Sequence, residues 1–139
     1  GCPLSPFLFT VVMTTLLHDA HRELRHRRGQ PVPEELVRDL VYADDTLLLG
    51  ASAEAVQELM TYVKKFGANY GLQFNWKKVE LMKVRTNDGI SDNAGAPLAN
   101  KHSIVYLGTS ISADGRCASE LSRRIGAAMQ DFHRAGEMR

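Results

Sequence analysis

The chain has 139 residues, 44% hydrophobic and 24% charged, a balance that excludes disordered and collagen-like classes and fits a folded globular domain. At this length one domain is expected, burying roughly two-thirds of the surface its unfolded form exposes. The formal net charge of +1 gives no global pull toward nucleic acid or toward cations, so any electrostatic role has to be local.

At the N-terminus, GCPLS would fit a myristoylation pattern with a palmitoylatable Cys2 after loss of an initiator methionine, a short pattern that arises often by chance. A start at glycine equally fits a piece of a longer reading frame. Cys2 and Cys117 lie at opposite ends, outside any metal-ligand spacing with histidine, and read as free thiols of a reducing compartment. Leu4, Phe7, Leu8, Val11, Val12 and Leu16 recur at helical spacing, with Pro3 and Pro6 suited to a first turn. This predicts a buried helix from about residue 4 into the low twenties. The run from Phe7 to Leu17 is broken by threonines and is too short to span a bilayer. A basic tail follows with Arg22, Arg25, Arg27 and Arg28, ended by Gly29, Pro31 and Pro33. It reads as a solvated helix end with cations at the negative pole of the dipole, with phosphate tracking as the functional alternative.

Leu36 to Ala43 and Thr46 to Leu49 are strand-like runs separated by Asp44 and Asp45, the spacing of a tight hairpin. Ser52 then offers an N-cap with Glu54 in the first turn, and Val56, Leu59, Met60, Val63, Phe66 and Tyr70 continue at helical spacing to a stop at Gly71. GLQFNWKKVELMKV predicts two short strands or one bent strand. Residues 85–103 are rich in turn formers and read as a surface loop or loose hairpin. Ile104 to Leu107 and Thr109 to Ser112 predict a strand pair about Gly108, SADG a turn, and Leu121, Ile125, Met129 and Phe132 a last helix. Arg116, Arg123, Arg124, Arg134 and Arg139 lie on or near the polar side of that helix.

An Asp-Asp pair between apolar runs is ordinarily turn chemistry, because aspartate tolerates tight-turn backbone angles and bonds its own main chain. A functional pair needs a cation to offset the repulsion of two adjacent carboxylates. Mg²⁺ fits such a pair, since it prefers hard oxygens and leaves positions for substrate phosphates. Two such ions about 4 Å apart serve phosphoryl transfer.

Four segments carry a resemblance. Tyr42-Ala43-Asp44-Asp45 resembles the Tyr-x-Asp-Asp signature of reverse transcriptases. GCPLSPFLF is similar to the motif preceding that signature, normally led by a glutamine that would lie just before Gly1. GLQFNWKK resembles the segment after the catalytic hairpin and its helix. VYLGTSISADG resembles the hairpin beside the primer that leads into the thumb. Their order covers essentially the whole chain, and alanine in the signature with Leu-Ser-Pro and Tyr-Leu-Gly looks like the non-LTR retrotransposon (LINE-type) branch.

What the resemblance implies is an α+β fold: part of a right-hand polymerase palm over residues 1–113, an antiparallel sheet carrying the acidic hairpin with helices on one face, and the start of a thumb over 114–139. It implies RNA-templated DNA synthesis, with an RNA template, a DNA primer, deoxynucleoside triphosphates and the rest of the polymerase chain as partners, and no membrane. Asp44 and Asp45 match the metal-binding carboxylates, and the two-metal Mg²⁺ site is completed by an aspartate upstream of this chain. Lys78 matches a lysine that could neutralise or protonate the leaving pyrophosphate. Leu4, Ser5 and Pro6 match positions near nucleotide and template, Tyr42 and Ala43 positions beside the primer terminus, and Tyr106, Leu107 and Gly108 the primer grip. An intracellular location, nuclear or cytoplasmic, goes with the family.

Departures are Thr10, where asparagine is common, and Val79, where threonine or serine usually follows the lysine. Without the upstream aspartate and the fingers, the isolated chain is expected not to polymerise. The alternatives are a non-catalytic remnant that binds nucleic acid or a partner, and another palm polymerase such as an intron maturase or an RNA-dependent RNA polymerase.

Overall fold

The computed structural model describes residues 3–28, 37–43 and 45–137. It is mixed α and β, and divides into two units, Gly1–Val79 with Asp88–Leu98 and Glu80–Asn87 with Ala99–Arg139.

In the first unit, α1 (Ser5–Arg28) precedes β1 (Val37–Tyr42), β2 (Asp45–Gly50) and α2 (Ala53–Asn69). The core is made where α1 packs on α2: Leu16, Leu17, Ala20 and Leu24 from one helix meet Ala55, Val56, Leu59, Met60 and Val63 from the other, with Val37 and Ile90 also buried. The expectation of a helix buried from its start does not hold. Leu4, Phe7, Leu8 and Val11 are about half exposed or more, because the apolar face of α2 covers the C-terminal half of α1 and leaves the first turns open.

Helix α2 has both of its predicted ends. The Ser52 hydroxyl accepts a hydrogen bond from the Ala55 amide at 3.4 Å. At the other end Leu72 N donates to the Gly67 carbonyl (2.9 Å) and Gly71 N to that of Ala68 (3.1 Å), with Gly71 at φ 70°. These two bonds satisfy carbonyls that the helix itself leaves open, and the left-handed residue they need carries no Cβ. The following loop is fastened to α2 by a side chain that acts twice: Gln57 Oε1 accepts from Ser91 N at 2.7 Å and Gln57 Nε2 donates to the Ser91 carbonyl at 3.2 Å.

Strands β1 and β2 pair antiparallel from Val37 opposite Gly50 to Tyr42 opposite Asp45. The ladder therefore closes at Asp45, which already belongs to β2 although the Asp44–Asp45 spacing predicts it in the turn. Residues 71–84 also differ from expectation: they hold no strand. Lys78 N and Val79 N bond back to the carbonyls of Asn75 (2.8 Å) and Trp76 (3.4 Å), closing a turn, and Leu81 forms only an isolated bridge to Asn100. With those backbone groups spent locally, no third strand joins the first hairpin from this segment, and the described residues form two separate two-stranded sheets rather than one.

The second unit contains β3 (Ser103–Tyr106), β4 (Thr109–Ser112) and α3 (Ala118–Glu137). The β3–β4 hairpin turns at Leu107–Gly108, and a second turn follows in which Asp114 Oδ1 accepts from Arg116 N at 3.0 Å. Helix α3 is held to this hairpin by Glu120, the one polar residue buried among those described. Its Oε2 accepts from Ser110 N (2.8 Å) and Arg123 Nε (3.0 Å), and its Oε1 from Arg123 Nη2 (2.9 Å) and Arg124 Nε (2.6 Å). The Arg123 and Arg124 guanidinium groups, with the Ser110 amide, hold the Glu120 carboxyl far below the usual glutamate range. Beyond this node α3 is open, with Leu121, Ile125, Met129 and Phe132 all exposed.

Two outcomes follow for stability. Leu59 is fully buried, so Leu59→Ala is expected to cost about 2–5 kcal/mol in urea unfolding, whereas Phe7→Ala, at an exposed position, should stay within about 0.5 kcal/mol of the parent. Glu120 is ionised more readily in the folded chain than in the unfolded one, so its contribution is complete above the ordinary glutamate value of 4.5 and is lost as pH falls below it. Acid titration followed by hydrogen exchange at Ser110 should show this weakening, and Glu120→Gln should flatten it.

Candidate functional site

The tip of the first hairpin brings Tyr42, Ala43 and Asp45 together. A two-residue antiparallel turn needs positive φ in its centre, which matches the right-handed twist of the strands it joins. Ala43 supplies it at φ 52°, a conformation that costs a residue with a Cβ about 1–2 kcal/mol. Tyr42 and Asp45 sit directly opposite each other in the ladder, so their side chains leave the same face, and both are exposed. The tip thus presents an aromatic ring beside a carboxylate. Asp44 lies outside the described residues.

Of the other predicted positions, Leu4 is in the turn before α1, and Ser5 and Pro6 are its first two residues, all three exposed. The Leu4 carbonyl accepts from Leu8 N at 3.0 Å, which starts the helix. Lys78 is exposed at the end of the Asn75–Lys78 turn, in a segment where the Phe74 and Trp76 ring centroids are 5.3 Å apart. These residues share the first unit with the acidic tip. Tyr106, Leu107 and Gly108 belong to the second. There Tyr106 ends β3 half-buried, and Leu107 (φ 50°) and Gly108 (φ 75°) make the turn, with Leu107 about half exposed.

For a divalent cation the described residues offer Asp45 as the carboxylate at this tip, and among them no group of three or more His, Cys, Asp or Glu is placed to hold a metal ion. They do not compose a metal site by themselves. Among the described residues, no helix is long and apolar enough to cross a membrane.

Two further features come from the structure, and only the second has a local sequence signal. His21 Nε2 donates to Asp39 Oδ1 at 2.5 Å, tying α1 to β1 at the wall of an open groove of about 800 Å³ that also takes in His18, Arg25 and Arg38. Eighteen residues separate the pair, and no local spacing signals it. The Glu120 node is different: Arg123 and Arg124 stand three and four residues after it, the spacing of helical ion pairs, so a scan for such pairs finds it.

The family model described as reverse transcriptase (RNA-dependent DNA polymerase) matches residues 1–111. No solved structure matches the chain. Proteins of this family are RNA-directed DNA polymerases, nucleotidyltransferases that act on template, primer and deoxynucleoside triphosphates and generally use Mg²⁺. The matched span includes the acidic hairpin, both helices of the first unit and nearly all of the β3–β4 hairpin. On that match, the chain belongs to the reverse transcriptase family.

Proposed function

We propose that these residues form part of the palm (1–113) and the start of the thumb (114–139) of a non-LTR-type reverse transcriptase, and that the intact enzyme copies RNA into DNA. The observation that carries this reading is the family match over residues 1–111, with Tyr42, Ala43 and Asp45 of the Tyr-x-Asp-Asp sequence at the tip of a tight hairpin. A strand-borne carboxylate is held more firmly than one on a loop, which is what positioning of a reacting phosphate requires.

In this reading the primer 3′-hydroxyl attacks the α-phosphate of the incoming nucleotide and pyrophosphate leaves. Asp44 and Asp45 would hold Mg²⁺ together with a carboxylate from outside these residues, and the bound ions would activate the hydroxyl and offset the phosphate charge. Tyr42 and Ala43 border the primer terminus, where the alanine methyl leaves room for a sugar. Leu4, Ser5 and Pro6 lie at the nucleotide and template side. Lys78 offsets charge on the leaving pyrophosphate. Tyr106, Leu107 and Gly108 bear on the primer strand.

Primer extension on an RNA template by the complete reading frame tests this. Asp44→Asn is expected to lower the rate by a factor on the order of 10² or more, the scale for loss of one charge-stabilising group in an active site. Equal extension by parent and variant overturns the catalytic assignment in favour of a non-catalytic remnant, and preference for ribonucleotides points to an RNA polymerase.

A further inference from the structure

The β3–β4 turn is costly and it is held from outside. Leu107 adopts φ 50°, an outlying conformation for a bulky side chain, and such conformations persist where surrounding structure over-determines them. Here the surroundings are three residues of α3. Arg123 Nη2 donates to the Gly108 carbonyl, Arg124 Nη2 reaches Thr109 Oγ1 at 3.3 Å, and Glu120 Oε2 takes the Ser110 amide at 2.8 Å. Three consecutive residues after Leu107 are thus each bonded to the first turns of one helix. The same Glu120 carboxylate orients both guanidinium groups, so the contacts form one network rather than three independent ones.

The network does more than anchor a helix. It fixes an exposed apolar residue, Leu107, at the tip of a rigid hairpin, and two guanidinium groups against one carboxylate leave one net positive charge beside that tip. A rigid apolar contact next to a positive charge suits the sugar face and phosphate of a nucleic-acid strand.

We infer that Glu120, Arg123 and Arg124 are positioning residues that hold the Leu107–Gly108 turn as a bearing for the primer strand. This rests on the polymerase reading above. These residues touch no reacting atom, and they act through the backbone of residues 108–110. The role calls for guanidinium geometry, because one planar group has to reach a carboxylate and the Gly108 carbonyl together, which an ammonium group does not reproduce.

The test is steady-state and single-turnover primer extension by the complete reading frame, comparing the parent with Arg123→Ala, Arg123→Lys and Glu120→Gln. The expected result is a KM for primer–template raised about tenfold in Arg123→Ala and Glu120→Gln, with KM for the deoxynucleotide and the single-turnover rate at saturating primer within about twofold of the parent. Arg123→Lys should not restore the primer KM. A merely structural role would lower the fraction of active enzyme without separating the two KM values. If Arg123→Ala does not fold, Glu120→Gln carries the comparison. A parent that extends primers while the variants leave the primer KM unchanged, or shift both KM values alike, overturns this inference alone. A parent that neither binds nor extends a primer overturns the polymerase reading and this inference with it.

Discussion

Both hairpins reverse direction through two residues, and in each the first turn residue carries a side chain at positive φ, Ala43 at 52° and Leu107 at 50°. A two-residue turn leaves the ladder no freedom: it fixes Tyr42 opposite Asp45 in one hairpin and Tyr106 opposite Thr109 in the other. A slip of one residue would send every side chain of a strand to the opposite face. Which residues the tips present therefore depends on these turns being held, and each has a side chain where asparagine or glycine would be more relaxed. The cost of about 1–2 kcal/mol at each turn has to be offset by neighbouring structure.

The two units offset it differently. In the first, β1 and β2 lie against α2, whose ends are fixed by Ser52 and by the Gly71 stop, and His21 with Asp39 adds a polar tie between α1 and β1. In the second, the hairpin is only four residues long on each strand, too short to be stable by itself, and the stabilising partner is the Glu120 node. A buried carboxylate that accepts four hydrogen bonds, three of them from two guanidinium groups, is satisfied on both oxygens. Removing one partner would leave the other groups unpaired, which is what makes such a network sensitive to a single substitution.

Local chemistry made much of this legible in advance. Ser52, Glu54 and the apolar spacing from Val56 to Val63 announce α2, because each signal acts within a few residues. The chain order of four motifs pointed to the reverse transcriptase family, which the family match bears out. Non-local facts were not legible. The apolar stripe from Leu4 to Val11 predicts a buried face, yet hydrophobicity says nothing about whether a partner lies alongside, and these positions are exposed. The strand expected in residues 71–84 failed for a related reason, since a strand exists only with a neighbour to bond, and here the amides of Lys78 and Val79 close a turn instead. At the acidic tip the hairpin is there, but Asp45, which the spacing puts in the turn, is in the ladder opposite Tyr42.

The arginines of the last segment show how pairing changes the meaning of a charge pattern. Counted along the sequence, Arg116, Arg123, Arg124, Arg134 and Arg139 make a cationic segment on or near the polar side of the last helix. In the folded chain Arg123 and Arg124 share Glu120, and Arg116 lies 3.8 Å from Asp114. Each phosphate contact that releases a counterion adds about one unit to the salt dependence of binding. A guanidinium already matched to a carboxylate attracts phosphate less than an unmatched one, so a count of arginines overstates the positive charge this segment presents. What those arginines supply instead is geometry: bonded to the Gly108 carbonyl and the Thr109 hydroxyl, they hold a hairpin tip in place and leave a residual positive charge beside it.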